Sequence, residues 1–301
     1  MVGLKGGHVS KWAALLIAVC LSVPARGEDR PLKTENPEPL SAGMIRADFG
    51  VEFLHRQRYS LSGLEGDLTR FGVTSIRVGV GEYAEFQISG VFRDFLTVSR
   101  RDTPVLSYSF VGDTTSDFGD LTLGTKLRLA AEKGARPAIA FKFAVELPNA
   151  TNESGLGTDQ TEFYASTLLS KHLGRAQLLG NVGLAILGSP VQPNSQADLL
   201  TYGFGVVMPV RNRLELVGQV NGRQGPVRIG NESFAQVQAG ARFRAAGLRW
   251  DVSGLAGLEH FNPSSGLIVG VAFEFQAFHK KRSPTTVRPG KPPETGPVHE
   301  R

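Results

Sequence analysis

Apolar and polar residues alternate with a period of two through most of this 301-residue chain. In the run Ile139, Phe141, Phe143, Val145, Leu147 every second side chain is apolar, and Ala140, Lys142, Ala144 and Glu146 stand between them. Successive side chains of a β-strand leave opposite faces of a sheet, so this is a strand with one greasy face. The pattern recurs in segments near 44–54, 72–80, 84–95, 119–131, 137–147, 161–171, 176–187, 198–208, 213–222, 233–243, 248–258 and 266–275.

The connections between these segments alternate in length. Short ones fall at 81–83, 132–136, 172–175, 209–212 and 244–247; long ones at 55–71, 96–118, 148–160, 188–197, 223–232 and 259–265. Outer-membrane barrels have short periplasmic turns and longer external loops, and an even strand number leaves both chain ends in the periplasm.

The second face of each segment separates a membrane barrel from a soluble one. On one strand it reads Thr122, Gly124, Lys126, Arg128, Ala130, and on the last Ile268, Gly270, Ala272, Glu274. Small residues mixed with charges suit a lumen better than a solvated exterior. The apolar face carries almost no charge over ~9–11 residues, enough to cross a bilayer when tilted. An Arg or Lys on that face costs roughly 2–4 kcal/mol at the midplane. Lipid offers no hydrogen bonds to an open edge, so the first and last strands must pair. The expected fold is all-β: a closed antiparallel up-and-down transmembrane β-barrel of about 12 strands over residues 44–275. Phe141 and Phe143 then meet lipid, and Lys142 and Glu146 face the lumen. Tyr83, Phe95, Tyr108, Phe163, Tyr202, Trp250 and Phe275 are candidates for the interfacial aromatic girdles.

Residues 1–25 read as a signal peptide: Lys5 and Lys11, an apolar stretch from Trp12 to Leu21, then Val23-Pro24-Ala25, with cleavage after Ala25 or Gly27. Val19 and Leu21 flank Cys20 with the wrong residues for lipidation. Cys20 is the one cysteine, so it leaves with the signal, and the mature chain has neither disulfide nor thiolate metal site. Residues 26–43 are rich in Pro and Glu and read as a flexible lead-in. Residues 276–301, with Lys280-Lys281-Arg282 and five prolines, read as a disordered basic periplasmic tail. The expected location is the outer membrane of a Gram-negative bacterium.

The net charge of +5 is terminal; residues 26–275 carry −1. No basic stripe with interleaved aromatics appears, so nucleic acid is not an expected partner. No catalytic, cofactor or metal constellation is expected either. Of the histidines, His8, His279 and His299 lie in the terminal segments and His172 in a tight turn, which leaves His55 and His260 near external loops. Glu259-His260 with a distant Ser is the nearest approach to a hydrolytic triad. Gly79-Val80-Gly81 has no helix after it and marks a hairpin, not a nucleotide loop.

The chemical content is in the inward charges. Strand parity places Arg46, Asp48, Glu52, Arg77, Glu85, Lys126, Arg128, Lys142, Glu146, Glu215, Arg249, Asp251 and Glu274 in the lumen as pore-lining candidates, with Arg93 beside them. Two readings stand open: a wet pore whose constriction is tuned by charge, or a structural network of mutually neutralising ions. About twelve strands enclose less space than the 16–18 of general porins, and loops 96–118 and 148–160 are placed to narrow the opening.

The stretches Pro137 to Pro148, Gly155 to Phe163 and Leu168 to Gly174, with the earlier run Phe71-Gly72-Val73 to Ser89, resemble the MetA-pathway of phenol degradation family. The resemblance spans roughly residues 45–275 and rests on strand-turn patterns. It implies an outer-membrane barrel linked to transport of aromatic compounds and carries over no substrate-binding residue. The ending Phe273-Glu274-Phe275, with Gly270 upstream, resembles the signal read by the barrel-assembly machinery, with Ile268 departing from it. The expected partners are outer-membrane lipid, that machinery and a small-molecule solute; the sequence does not set the oligomeric state. The expected function is a channel or transporter for small hydrophobic or aromatic solutes. Its alternatives are a non-conducting structural or surface-interaction barrel and a membrane-embedded lipid-modifying enzyme.

Overall fold

The computed structural model describes residues 30–226 and 228–278. Residues 1–25, read above as a signal peptide, the first residues of the expected lead-in and the expected tail from 279 lie outside the described residues.

Thirteen β-segments follow one another: β1 (Met44–Tyr59), β2 (Leu64–Val80), β3 (Ala84–Arg101), β4 (Thr114–Asp117), β5 (Leu121–Ala130), β6 (Ala138–Leu147), β7 (Glu162–Leu173), β8 (Ala176–Gly188), β9 (Gln196–Arg211), β10 (Leu214–Gln224), β11 (Phe234–Ala245), β12 (Leu248–Gly257) and β13 (Ser265–Gln276). All pair antiparallel, and the ring closes through β1 and β13, from Met44 opposite Gln276 to His55 opposite Ser265. β4 and β5 lie in succession along β3 and form one interrupted stave. The result is a closed twelve-stave barrel with no helix among the described residues. At the interruption the Gly119 N–H donates to the Val91 carbonyl at 3.0 Å.

The alternation sorts the two faces as the pleat requires. Phe141 and Phe143 are 40% and 47% exposed on the outside, while Ala140 and Ala144 on either side of them are buried. Phe49, Phe53, Phe86, Ile88, Leu184 and Phe204 continue the outer apolar belt. Phe95, Phe163 and Trp250 are also exposed.

The first three staves depart from the sequence expectation. The long loop expected at 55–71 is mostly strand: β1 runs on to Tyr59, β2 begins at Leu64, and only 60–63 turn between them. β3 likewise extends to Arg101 inside the loop expected at 96–118. The pattern was hidden because the ladder is bulged, with register shifts between Gly50 and Val51 and between Leu54 and Gln57. Gly72, at φ +69°, is left without a partner in β1. A bulge adds a residue to one strand and reverses which parity faces inward. Arg77 and Val73 face the lumen on one side of Gly72, and Arg70, Leu68 and Leu64 on the other. β3 shifts at the same level, from Gln87 and Val91 to Asp94, Leu96 and Val98. Arg93 is therefore not in the lumen: its guanidinium lies 5.0 Å from the ring centroid of Phe118, itself 43% exposed.

The long connections fold over the outer mouth. Ser62 Oγ donates to Gly155 O at 2.7 Å, Thr115 Oγ1 to Ser154 O at 2.8 Å, and Ser109 N to Glu153 O at 2.9 Å. Tyr108 and Phe110 stack at 4.9 Å and, with Leu156, pack on an apolar cluster of Leu54, Leu64, Leu68, Leu96, Leu255 and Ile268. Tyr108 is thus part of this cap, not of a girdle. Ile268, 3% exposed, belongs to this cluster.

Candidate functional site: the lumen

The lead-in is not a loose extension from residue 30 onward. It enters at the short-turn end and runs up inside the barrel. Just before β1, the Leu40 N–H donates to Glu85 Oε2 at 2.7 Å. Above it Arg128 reaches Glu38 at 2.7 Å, and Lys126 Nζ donates to Asn36 O at 3.0 Å. Glu35 is clasped by Lys142, by Lys126 at 3.9 Å and by the Gln87 amide at 3.0 Å. Gln219 Oε1 accepts both the Lys33 and the Thr34 N–H, at 3.0 and 2.8 Å. The Gln219 amide continues to Gln238, which donates to Pro31 O at 2.9 Å and to Ser253 at 2.7 Å. Leu32 adds one apolar anchor, against Leu179, Val207 and Val217.

Inward glycines make room for this segment. A Cβ on Gly50 or on Gly270, which face each other across the β1–β13 seam, would collide with the Arg30 guanidinium. Gly203 and Gly205 lie under Thr34, and Gly79 lies under the Leu40 and Ser41 carbonyls. Glycine within a strand marks such close approach. Arg30 lies 3.5 Å from Asp251.

The thirteen sequence-proposed charges therefore fall into three groups. Glu85, Lys126, Arg128, Lys142 and Asp251 hold the internal segment. Arg46, Asp48, Arg249 and Glu274 form a buried cluster at the closing seam, with Arg249–Asp48 at 3.0 Å and Arg46–Glu274 at 3.3 Å. Glu215 pairs with Arg242 nearby at 3.6 Å, and buried Arg77 lies 3.4 Å from the Ser75 hydroxyl. Buried ions need partners to offset their desolvation; most of these side chains are used in that way. Glu52 and Glu146 border open space higher in the barrel, Glu52 with Arg70 at 3.4 Å and Glu146 without an ion pair among the described residues. Sequence reasoning missed residues 30–41, along with Gln219, Gln238, Arg70, Asp94 and Arg223. The neutral amides carried no charge signal, Arg70 and Asp94 sit beyond the bulges, and a segment without periodicity says nothing of its location.

Above Lys33 lies a chamber of about 710 Å³ that opens toward the capped mouth, lined by the apolar cluster on one side and by charged residues on the other. Beside the internal segment is a second cavity of about 280 Å³, reaching Lys142, Ser166, Leu168 and Asn181. The two share Lys33, Thr122, Arg223 and Phe234, which form a neck. The internal segment narrows the lumen without filling it.

Neither exposed histidine stands in a triad. His55 Nδ1 lies 2.7 Å from Asp67, and His260 Nδ1 lies 3.0 Å from the Arg58 guanidinium. Among the described residues no cluster of His, Cys, Asp and Glu has the grouping of a metal site.

No family model and no curated protein matches the chain. Solved structures do. The COG4313 outer membrane channel from Pseudomonas putida F1 superposes with a TM-score of 0.57 at 17% identity, over 82% of this chain and 100% of that one. The fold is that of outer-membrane β-barrels. Weaker likeness extends to the translocator domain of the autotransporter NalP from Neisseria meningitidis, with a TM-score of 0.47, 12% identity, and 88% and 95% of the two chains covered. The outer membrane channel DcaP of Acinetobacter baumannii gives a TM-score of 0.39, 10% identity, and 79% and 100% coverage.

Proposed function

We propose that this chain is an outer-membrane channel or transporter for small solutes with a hydrophobic or aromatic body, allied to the MetA-pathway of phenol degradation family. The observation that carries this reading is the pair of connected cavities beside the internal segment. They share lining at Lys33, Thr122, Arg223 and Phe234, and the lower one reaches down beside the segment to Glu35. Among the described residues the lumen is divided into these two small cavities with no wide bore between them, which suits slow passage of small molecules over bulk diffusion.

The test is single-channel recording in planar bilayers. The intact protein should show a small conductance. Removing residues 30–41 should raise it several-fold, and the double variant Glu35→Gln, Glu38→Gln should raise it less, by weakening the grip of Lys142 and Arg128. The competing reading is a non-conducting barrel held shut by the same segment. Zero conductance in the intact protein, with current appearing only when residues 30–41 are removed, would select that reading.

A further inference from the structure

The charged lining of the outer chamber is almost fully accounted for. Arg70 lies between Glu52 and Asp94, at 3.4 and 3.3 Å. Arg58 is held by Glu65 at 2.9 Å, and Arg30 by Asp251. Asp120 accepts the N–H groups of Asn149 and Ala150, and Glu232 that of Gly230. Arg223 donates to Glu232 O at 3.1 Å and lies 4.0 Å from Glu162. Among the described residues, two charges of this lining remain without an ion pair or a backbone partner. The side chain of Lys33, exposed to the cavity, makes no polar contact with any described residue. The Glu146 carboxylate receives only the Thr122 hydroxyl, at 3.3 Å.

An unpaired cation and an unpaired anion thus share one chamber whose other wall is Leu54, Leu68, Leu255 and Ile268. A neutral apolar solute entering here strips water from both ions and returns nothing for it. A monoanion suits Lys33 but meets Glu146, and a monocation the reverse. Only a solute carrying both signs repays both desolvations, and its apolar remainder then lies against the leucine wall. We infer that the outer chamber is a binding site for a small zwitterion with an apolar or aromatic body, such as a free aromatic amino acid, with Lys33 receiving the carboxylate and Glu146 the ammonium. The inference rests on the channel reading and narrows its solute.

The experiment uses four probes that share a phenyl body and differ in charge: phenylalanine, 3-phenylpropionate, 2-phenylethylamine and 3-phenylpropanol. Each is titrated at pH 8 against current through the reconstituted full-length protein, with binding to the folded barrel measured in parallel by calorimetry. Phenylalanine should bind best, by roughly tenfold over the other three. Lys33→Met should shift the preference to the amine, and Glu146→Gln to 3-phenylpropionate, with the heat-modifiable gel mobility of the folded barrel unchanged. Equal binding of all four probes, or one rank order in all three proteins, overturns the zwitterion site and leaves the channel intact. No conductance in any protein overturns the channel reading itself.

Discussion

The lower lumen and the outer chamber are built from the same alternating strands and hold similar charges, yet they use them oppositely. Below Lys33, Lys126 is fully buried and touches Glu85 at 3.2 Å and the Asn36 carbonyl at 3.0 Å. Glu35 has two ammonium groups and an amide, and glycines are hollowed to the shape of the segment. Above it, Lys33 and Glu146 stand in open space. Charge that is matched inside the chain holds structure, because removing either partner strands a buried ion. Charge left unmatched in a cavity is available to something that is not part of the chain. The comparison separates the two readings of the inward charges: a neutralising network describes the lower lumen, and a charge-tuned passage is what we propose for the chamber.

The sharpest way to break this contrast is to delete one ammonium from each region. Lys126→Met strands Glu85 and weakens the hold on Glu35, and should cost about 3–5 kcal/mol in urea unfolding from lipid vesicles. Lys33→Met should change stability by no more than about 0.5 kcal/mol. Equal costs would erase the distinction between the regions. A smaller effect is expected at the closing seam. Gly270→Leu fills the place of the Arg30 guanidinium and should cost about 1–3 kcal/mol, with a rise in conductance as the segment is displaced. Gly254, on the lipid side of β12 and without near neighbours, is the control, and its Leu variant should conduct as the parent does.

The smallest effect belongs outside the lumen, in the turn between β5 and β6. Hydrogen bonds from Lys171 and then from His172 hold the Glu132 carboxyl at a pKa of about 2, below its usual 4.5. Its stabilisation is complete above the ordinary value and is lost as pH falls toward 2. Because the group is near the surface, Glu132→Gln should cost only about 0–1 kcal/mol at pH 7, and the difference from the parent should vanish in unfolding curves near pH 2. A penalty that persists at pH 2 would show that this ion pair is not its source.

Much of the wall was legible in the chain. From β5 to β13 the period of two is unbroken enough that Lys126, Lys142, Asp251 and Glu274 could be turned inward, and Phe141 and Phe143 outward, by counting alone. Counting failed where a bulge intervened: at Gly72 the parity reverses, so Arg93 was assigned to the wrong face and Arg70 and Asp94 were not seen at all. A glycine inside an alternating run was the available signal, since its positive φ is what the bulge uses. Parity turned Trp250 outward correctly, but could not place Tyr108, whose loop folds back over the mouth.

By itself, then, the sequence determined the β-period, the sorting of lipid and lumen faces and the need for closure, because those follow from pleat geometry and from a solvent that offers no hydrogen bonds. Only the tertiary structure decided what fills the lumen. Residues 30–41 have no periodicity of their own. Their position depends on partners scattered from Gly50 to Gly270, which meet only once the ring has closed. Pairing of charges is a property of distance in space, and for that reason the chain could name Lys126 and Glu146 together while only the fold could tell that one is spent and the other is not.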